Sequence, residues 1–254
     1  MTHSTSRRQF LRRLSAAGVV TLVGIEPLIA CGGPTASPSP REATVLPAPT
    51  VSASSATLAQ TEEISLPTPR TKGTLSLEEA LARRRSIRAY TNKPLSLEEI
   101  AQLFWAAQGV TATWGGRTAP SAGATYPLEL YAAVAEGVYH YLPATHRAVV
   151  TIREDRREAL WVAGLHQSWI RQAPATFILT ALYARTAGRY GARSERYVKL
   201  EAGHAAQNLL LQAVTLNLGA VVVGAFDDQA VVTTLRLPEK EEPLYLIPVG
   251  HLDD

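Results

Sequence analysis

Two helix starts constrain this chain more than any other feature. Ser76-Leu77-Glu78-Glu79 and Ser96-Leu97-Glu98-Glu99 are both capping boxes. In each, the serine side chain accepts from the backbone N–H three residues on, and the glutamate there reaches back to the serine N–H. The first opens a helix with Leu77, Ala80 and Leu81 on one stripe. The second opens a helix through Ile100, Leu103 and Phe104 that stops at Gly109. The chain between them has to leave one helix and enter another.

That connection carries RRRSIRAY, residues 83–90, with arginines at 83, 84, 85 and 88. The first helix frays near Arg85, and the chain then runs extended to Tyr90. Residues two apart in an extended chain point the same way. Arg84, Ser86 and Arg88 therefore share one side, and Ile87 and Ala89 face the core. Two guanidinium forks and a hydroxyl aimed at one point suit a phosphate. The same residues also read as the solvated basic end of a helix, favoured there by the helix dipole. The arginines alone leave both readings open.

The rest of the body alternates in pattern. Leu128–Ala135 and Val138–Leu142 read as a hairpin joined at Glu136-Gly137, Arg156–Gln172 as a helix and Ala175–Tyr183 as a buried strand. A long helix runs from Ser194 to Leu218, closed by Gly219. Ala220–Phe226 is a strand, Asp227–Leu235 a short helix and Leu244–Val249 a last strand. A hairpin followed by helix-separated strands predicts an α+β fold with a mixed sheet.

The N-terminal third reads differently. Ser6-Arg7-Arg8-Gln9-Phe10-Leu11-Arg12 resembles the twin-arginine export signal, and an apolar run from Leu14 to Ile25 follows. Leu28-Ile29-Ala30-Cys31 resembles a lipobox, so residues 1–31 are expected to be an export signal with Cys31 lipidated. The expected location is the extracytoplasmic cell envelope, with membrane contact only through that signal or lipid. Residues 32–73 hold seven of the 16 prolines and no aromatic residue, the composition of a disordered linker. The folded body is then 74–254.

Charge excludes one class of function. Arg7, Arg8, Arg12 and Arg13 face only Glu26 in residues 1–31, so the formal charge of +3 belongs to that segment. The remainder is balanced, with no field to gather nucleic acid. Cys31 is the only cysteine, which rules out an internal disulfide. His140, His146 and His166 lack ligand spacing, so no metal is expected. No Walker A loop, Gly-x-Ser-x-Gly elbow or dinucleotide fingerprint is present.

Four stretches together resemble the nitroreductase superfamily, and within it the SagB-type, azoline-oxidising branch. They are RRRSIRAY, APSAGATYPLELY, EAGHAAQNLLLQAVTLNLGAVVVGAF and LYLIPVGH, in the family's order across 74–254. The resemblance implies a homodimer with FMN bound at the subunit interface. By position it implies that Arg84, Ser86 and Arg88 hold the FMN phosphate and part of the flavin. It implies that Pro120, Ser121 and Ala122 pack on the isoalloxazine from the partner subunit. Gly224 and Ala225 correspond to a strand end whose backbone reaches the flavin near N5. Gly250 and His251 correspond to a C-terminal segment near the phosphate.

Flavin enzymes leave the electron transfer to the cofactor, which explains the absence of an acid–base dyad in the sequence. Azoline oxidases carry a Lys-Tyr pair before the long helix, and here that place holds Arg189-Tyr190. Arginine stays protonated and cannot act as a base, which leaves Tyr190 as the candidate proton donor. An exported enzyme also suits peptide tailoring poorly. The expectation is an FMN oxidoreductase working by ping-pong between a donor and a small organic acceptor. Azoline oxidation in a peptide is the alternative, and a non-catalytic flavin- or nucleotide-binding lipoprotein is the alternative of another class. His204 has Glu201, Gln207 and Asn208 at helical spacing, an arrangement open to lining a site; hydrogen-bonded packing is the expected role. Most tryptophans are expected in the core or a dimer interface, and Trp114 is the candidate for substrate contact.

Overall fold

The structure, a computed structural model, describes residues 62–253. The expected export signal, Cys31 and the expected linker up to residue 61 lie outside the described residues. Seven strands form one sheet in the order β1-β4-β3-β2-β5-β7-β6. They are β1 (Glu63–Ser65), β2 (Leu128–Val134), β3 (Gly137–Leu142), β4 (Arg147–Ile152), β5 (Ala175–Ala181), β6 (Leu218–Ala220) and β7 (Glu242–His251). Seven helices accompany them: α1 (Leu77–Arg83), α2 (Leu97–Gln108), α3 (Arg157–Ala163), α4 (Ser168–Gln172), α5 (Tyr183–Tyr190), α6 (Ser194–Thr215) and α7 (Asp228–Leu235).

The α+β class holds. The expected mixed sheet is antiparallel in every strand pairing among the described residues, because β2–β4 form a meander and β5 returns beside β2. A single parallel bridge joins Ser86 to Ala220. Strand alternation builds a core on each face. Leu130, Ala132, Phe177 and Leu179 face α2 and α6, while Tyr131, Ala133 and Ile178 face α3, α4 and α7. All seven residues of β5 are buried, so it is the central wall between the two cores.

Both capping boxes are formed, with Ser76 bonded reciprocally to Glu79 and Ser96 to Glu99. Other boundaries differ from the sequence reading. Residues 62–73 are not free linker: β1 pairs with β4, and Gln102 clasps both backbone groups of Arg70 at 2.8 and 3.0 Å. The single helix expected over 156–172 is broken, because Leu165 and His166 turn left-handed after Gly164. The strand expected over 220–226 is regular only through Ala220. The chain then stays beside β7 by one further bridge, Val223 to Leu246. On α1 only Ala80 is buried; Leu77 and Leu81 are 62% and 52% exposed.

Candidate functional site

The four arginines divide into two pairs. Arg83 joins Glu79 on α1 at 3.2 Å, and Arg85 curls back to the carbonyls of Ala82 and Arg84. Arg84 and Arg88 form no ion pair among the described residues. Past Arg84 the backbone is extended (φ −54°, ψ 125°), and the Ile87 N–H donates to Ala220 at 3.1 Å. Ile87 lies so close over Gly219 that a Cβ there would come within 2.6 Å of it. Ser86 and Arg88 stay exposed, as the alternation requires. Ala89 is also exposed, contrary to expectation. The inward position passes instead to Tyr90, whose hydroxyl turns back to donate to the Ile87 carbonyl at 2.6 Å. The Arg88 guanidinium lies 5.2 Å from the centre of the Trp169 ring, a cation–π contact.

Gly224 and Ala225 follow the last bridge to β7, and both are exposed. A Cβ on Gly224 would meet only the Tyr245 ring, at 3.9 Å. Internal packing therefore does not demand glycine here, and a bare backbone is offered to whatever approaches. Gly250 is different. A Cβ on it would come within 2.7 Å of Pro174 and Tyr90, so its role is to let those residues close over β7. His251 points toward Glu99, 3.5 Å away, while its carbonyl receives the Thr91 N–H.

Pro120, Ser121 and Ala122 belong to a tightly fastened loop. Gly123, Ala124 and Tyr126 all have positive φ, of 61°, 53° and 45°. Two non-glycine residues there cost roughly 1 kcal/mol each, so other contacts must hold the loop. The Ser121 hydroxyl accepts from the Tyr126 N–H at 2.9 Å. From α5, Arg185 donates to the Tyr126 carbonyl, Arg189 donates to the Gly123 carbonyl, and Thr186 bonds Thr125. From α6, Asn208 donates to the Thr118 carbonyl. Tyr190 reaches the same loop, with its hydroxyl beside Gly123.

Glu201, which the sequence marked only as a helical neighbour of His204, is the more notable of the two here. The residue is 3% exposed, and its Oε1 has no hydrogen-bond partner among the described residues. Burial raises its pKa to about 7, against the opposing pull of the Ser121 hydroxyl and the Arg117 charge. It was visible as a carboxylate on the apolar stripe of α6, between Val198 and Ala205. His204, expected to pack, is exposed. Trp114 is 75% exposed at a loop tip.

Two groups of candidate residues thus stand apart. Ser86 is tied to Ala220, just past the C-terminus of α6, and Arg88 follows it on the same extended segment. The Ser121 loop is tied to Glu201 and Asn208 within α6 and to α5. The first offers two guanidinium groups with no carboxylate partner among the described residues. The second offers a rigid small-residue loop with a phenol and a buried acid behind it.

An antiparallel sheet between two helical layers defines an α+β protein. The nitroreductase family model matches residues 81–251. A Methanocaldococcus jannaschii protein provisionally named a nitroreductase is 46% identical over 182 residues, covering 69% of this chain and 91% of that one. A Ralstonia eutropha crystal structure, also provisionally named a nitroreductase, superposes with a TM-score of 0.68 at 30% identity. It covers 76% of this chain and 90% of that one. The Escherichia coli microcin synthetase McbBCD complex shares the fold at a TM-score of 0.60 and 21% identity, over 77% of this chain and 80% of that one. The chain belongs to the nitroreductase family, and it is an oxidoreductase of that family.

Proposed function

We propose that the protein is an FMN-dependent oxidoreductase, working by ping-pong between an electron donor and a small organic acceptor. The observation that carries this reading is that Arg84 and Arg88, on one side of the extended segment, form no ion pair among the described residues, while Gly224 offers a bare backbone where the chain leaves β7. Two guanidinium groups without carboxylate partners fit a phosphate dianion, and an unshielded glycine fits a planar ring at close range. Bound FMN would supply the hydride and electron transfer. The chain's own residues have other tasks. Arg84, Ser86 and Arg88 bind the phosphate, and Gly224 and Ala225 present backbone groups to the ring edge. The Ser121 loop covers a ring face and excludes water. Tyr190 and Glu201 are the groups able to deliver protons at that loop.

The separation of the two groups along α6 supports a homodimer in which each site draws the arginines from one copy and the Ser121 loop from the other. The exposed face of Leu77 and Leu81 supports the same reading. Reduction of an acceptor is favoured over azoline oxidation, because Arg189 is committed to the Gly123 carbonyl and supplies no base. The export signal and lipobox support a place at the cell envelope, anchored through Cys31. The test is the absorption spectrum of the full-length protein and the identity of what it releases on heating. Yellow protein releasing FMN is the expected result. Colourless protein that takes up no added FMN would overturn the reading.

A further inference from the structure

The turn between α3 and α4 touches both of the segments placed against the flavin phosphate and ring. Its backbone is strained, with Leu165 and His166 at φ 57° and 58°. Neighbouring contacts hold that shape. The His166 N–H donates to the Trp161 carbonyl at 3.0 Å, and the two rings meet edge to face at 4.6 Å. The Arg171 guanidinium lies 4.5 Å from the Trp161 ring centre. A Cβ on Gly164 would stand 2.2 Å from Ile170 Cδ1, so any other residue there would push the Ile170 side chain aside.

From this turn two side chains reach outward. Gln167 Nε2 donates to the Gly164 carbonyl at 2.8 Å and to the Ala225 carbonyl at 2.7 Å. The Asp227 N–H donates to the Ala163 carbonyl at 2.8 Å, a second fastening of the same segment. Two residues after Gln167, the Trp169 ring meets the Arg88 guanidinium. The indole Nε1 of Trp169 is buried without a partner among the described residues, so packing alone fixes the ring.

We propose that this turn is a brace that sets Ala225 and Arg88 relative to each other, with Gln167 and Trp169 as positioning residues. The inference rests on the flavin reading above. An anchored Ala225 carbonyl restricts rotation on the C-terminal side of Ala225. It thereby fixes the direction of the backbone that faces the ring edge. A backbone donor held in place acts on charge that develops there without first having to reorganise. Trp169 acts on a different quantity. It holds Arg88 in one orientation, which reduces the side-chain freedom lost when a phosphate binds.

The two tasks separate experimentally. In the full-length protein, Gln167→Ala is expected to shift the flavin midpoint potential while leaving FMN affinity within about threefold of wild type. Trp169→Leu is expected to raise the FMN Kd about five- to tenfold with the potential unchanged, and Trp169→Phe to restore it. Hydrogen exchange on the flavin-free protein supplies a readout independent of the cofactor. Gln167→Ala should speed exchange over residues 225–229, and Trp169→Leu should not. Unchanged exchange and potential in Gln167→Ala, or the same effect from both variants, overturns the brace. Wild-type protein that takes up no FMN overturns the flavin reading itself, and the brace falls with it whatever the exchange pattern shows.

Discussion

The Tyr190 hydroxyl stands beside Gly123 so closely that a Cβ on that glycine would come 2.7 Å from it. The same Cβ would meet Arg189 Nη1 at 2.9 Å, and Gly123 has φ +61°. Glycine there lets α5 close on the loop that carries Ser121. Gly123→Ala is therefore expected to destabilise the protein by about 1–2 kcal/mol in denaturant unfolding and to displace Tyr190. Tyr190→Phe keeps the packing and removes only the hydroxyl. It is expected to lower turnover while FMN stays bound. Unchanged turnover in steady-state assays would remove Tyr190 from proton delivery.

Glu201 gives a pH prediction with a definite sign. Its pKa rises from an ordinary 4.5 to about 7 on folding. Between these values the folded protein holds the proton more tightly than the unfolded chain does. Stability from this group is fully present below about pH 4.5 and is lost as pH rises through about 7. The full loss is of order 3 kcal/mol, since one pKa unit is about 1.4 kcal/mol. Glu201→Gln should therefore raise the melting temperature relative to wild type at pH 8 and lose that advantage near pH 5. A melting difference that stays constant with pH would mean that the carboxyl titrates normally.

Much of this was legible in the sequence, for local reasons. The capping boxes at Ser76 and Ser96 are complete within four residues, and the β2–β3 hairpin has its glycine at the turn. What failed depended on tertiary contacts. The break at Leu165 is hidden because Leu160, Ala163 and Ile170 keep an apolar pattern across it. Helix α5 was missed although Tyr183, Ala187 and Tyr190 recur at helical spacing, because it is only eight residues long, has no side-chain cap and fully buries only Thr186. β1 lies in proline-rich sequence and is ordered by its pairing with β4. At the site, the uncommitted side of the arginine run followed from strand alternation. Gln167 and Trp169 did not, because their partners lie more than fifty residues away.

The outward leucines of α1 make the oligomer testable. Leu77 and Leu81 are one helical turn apart and face solvent, while Ala80 between them is buried. A partner subunit would cover them and remove apolar surface from water, at about 25 cal/mol per Å². Leu77→Glu with Leu81→Glu is expected to shift a dimer toward monomer in sedimentation equilibrium and to release flavin in parallel. A wild-type monomer that binds FMN fully would contradict the shared site.

Arg83 and Arg88 give the sharpest comparison, because they differ in what they already hold. Arg83 is spent on Glu79 at the exposed end of α1, a kind of pair worth less than about 1 kcal/mol. Arg88 has no carboxylate and rests on Trp169. A charge-assisted bond to phosphate is worth about 1.5–3 kcal/mol. Arg88→Ala is thus expected to raise the FMN Kd roughly 10- to 100-fold in fluorescence titration, and Arg84→Ala similarly. Arg83→Ala should leave it unchanged. If all three arginines weaken binding equally, and added salt reproduces the loss, the run acts as a diffuse positive patch. The directional reading, in which alternation aims Arg84 and Arg88 at one anion, would then be wrong.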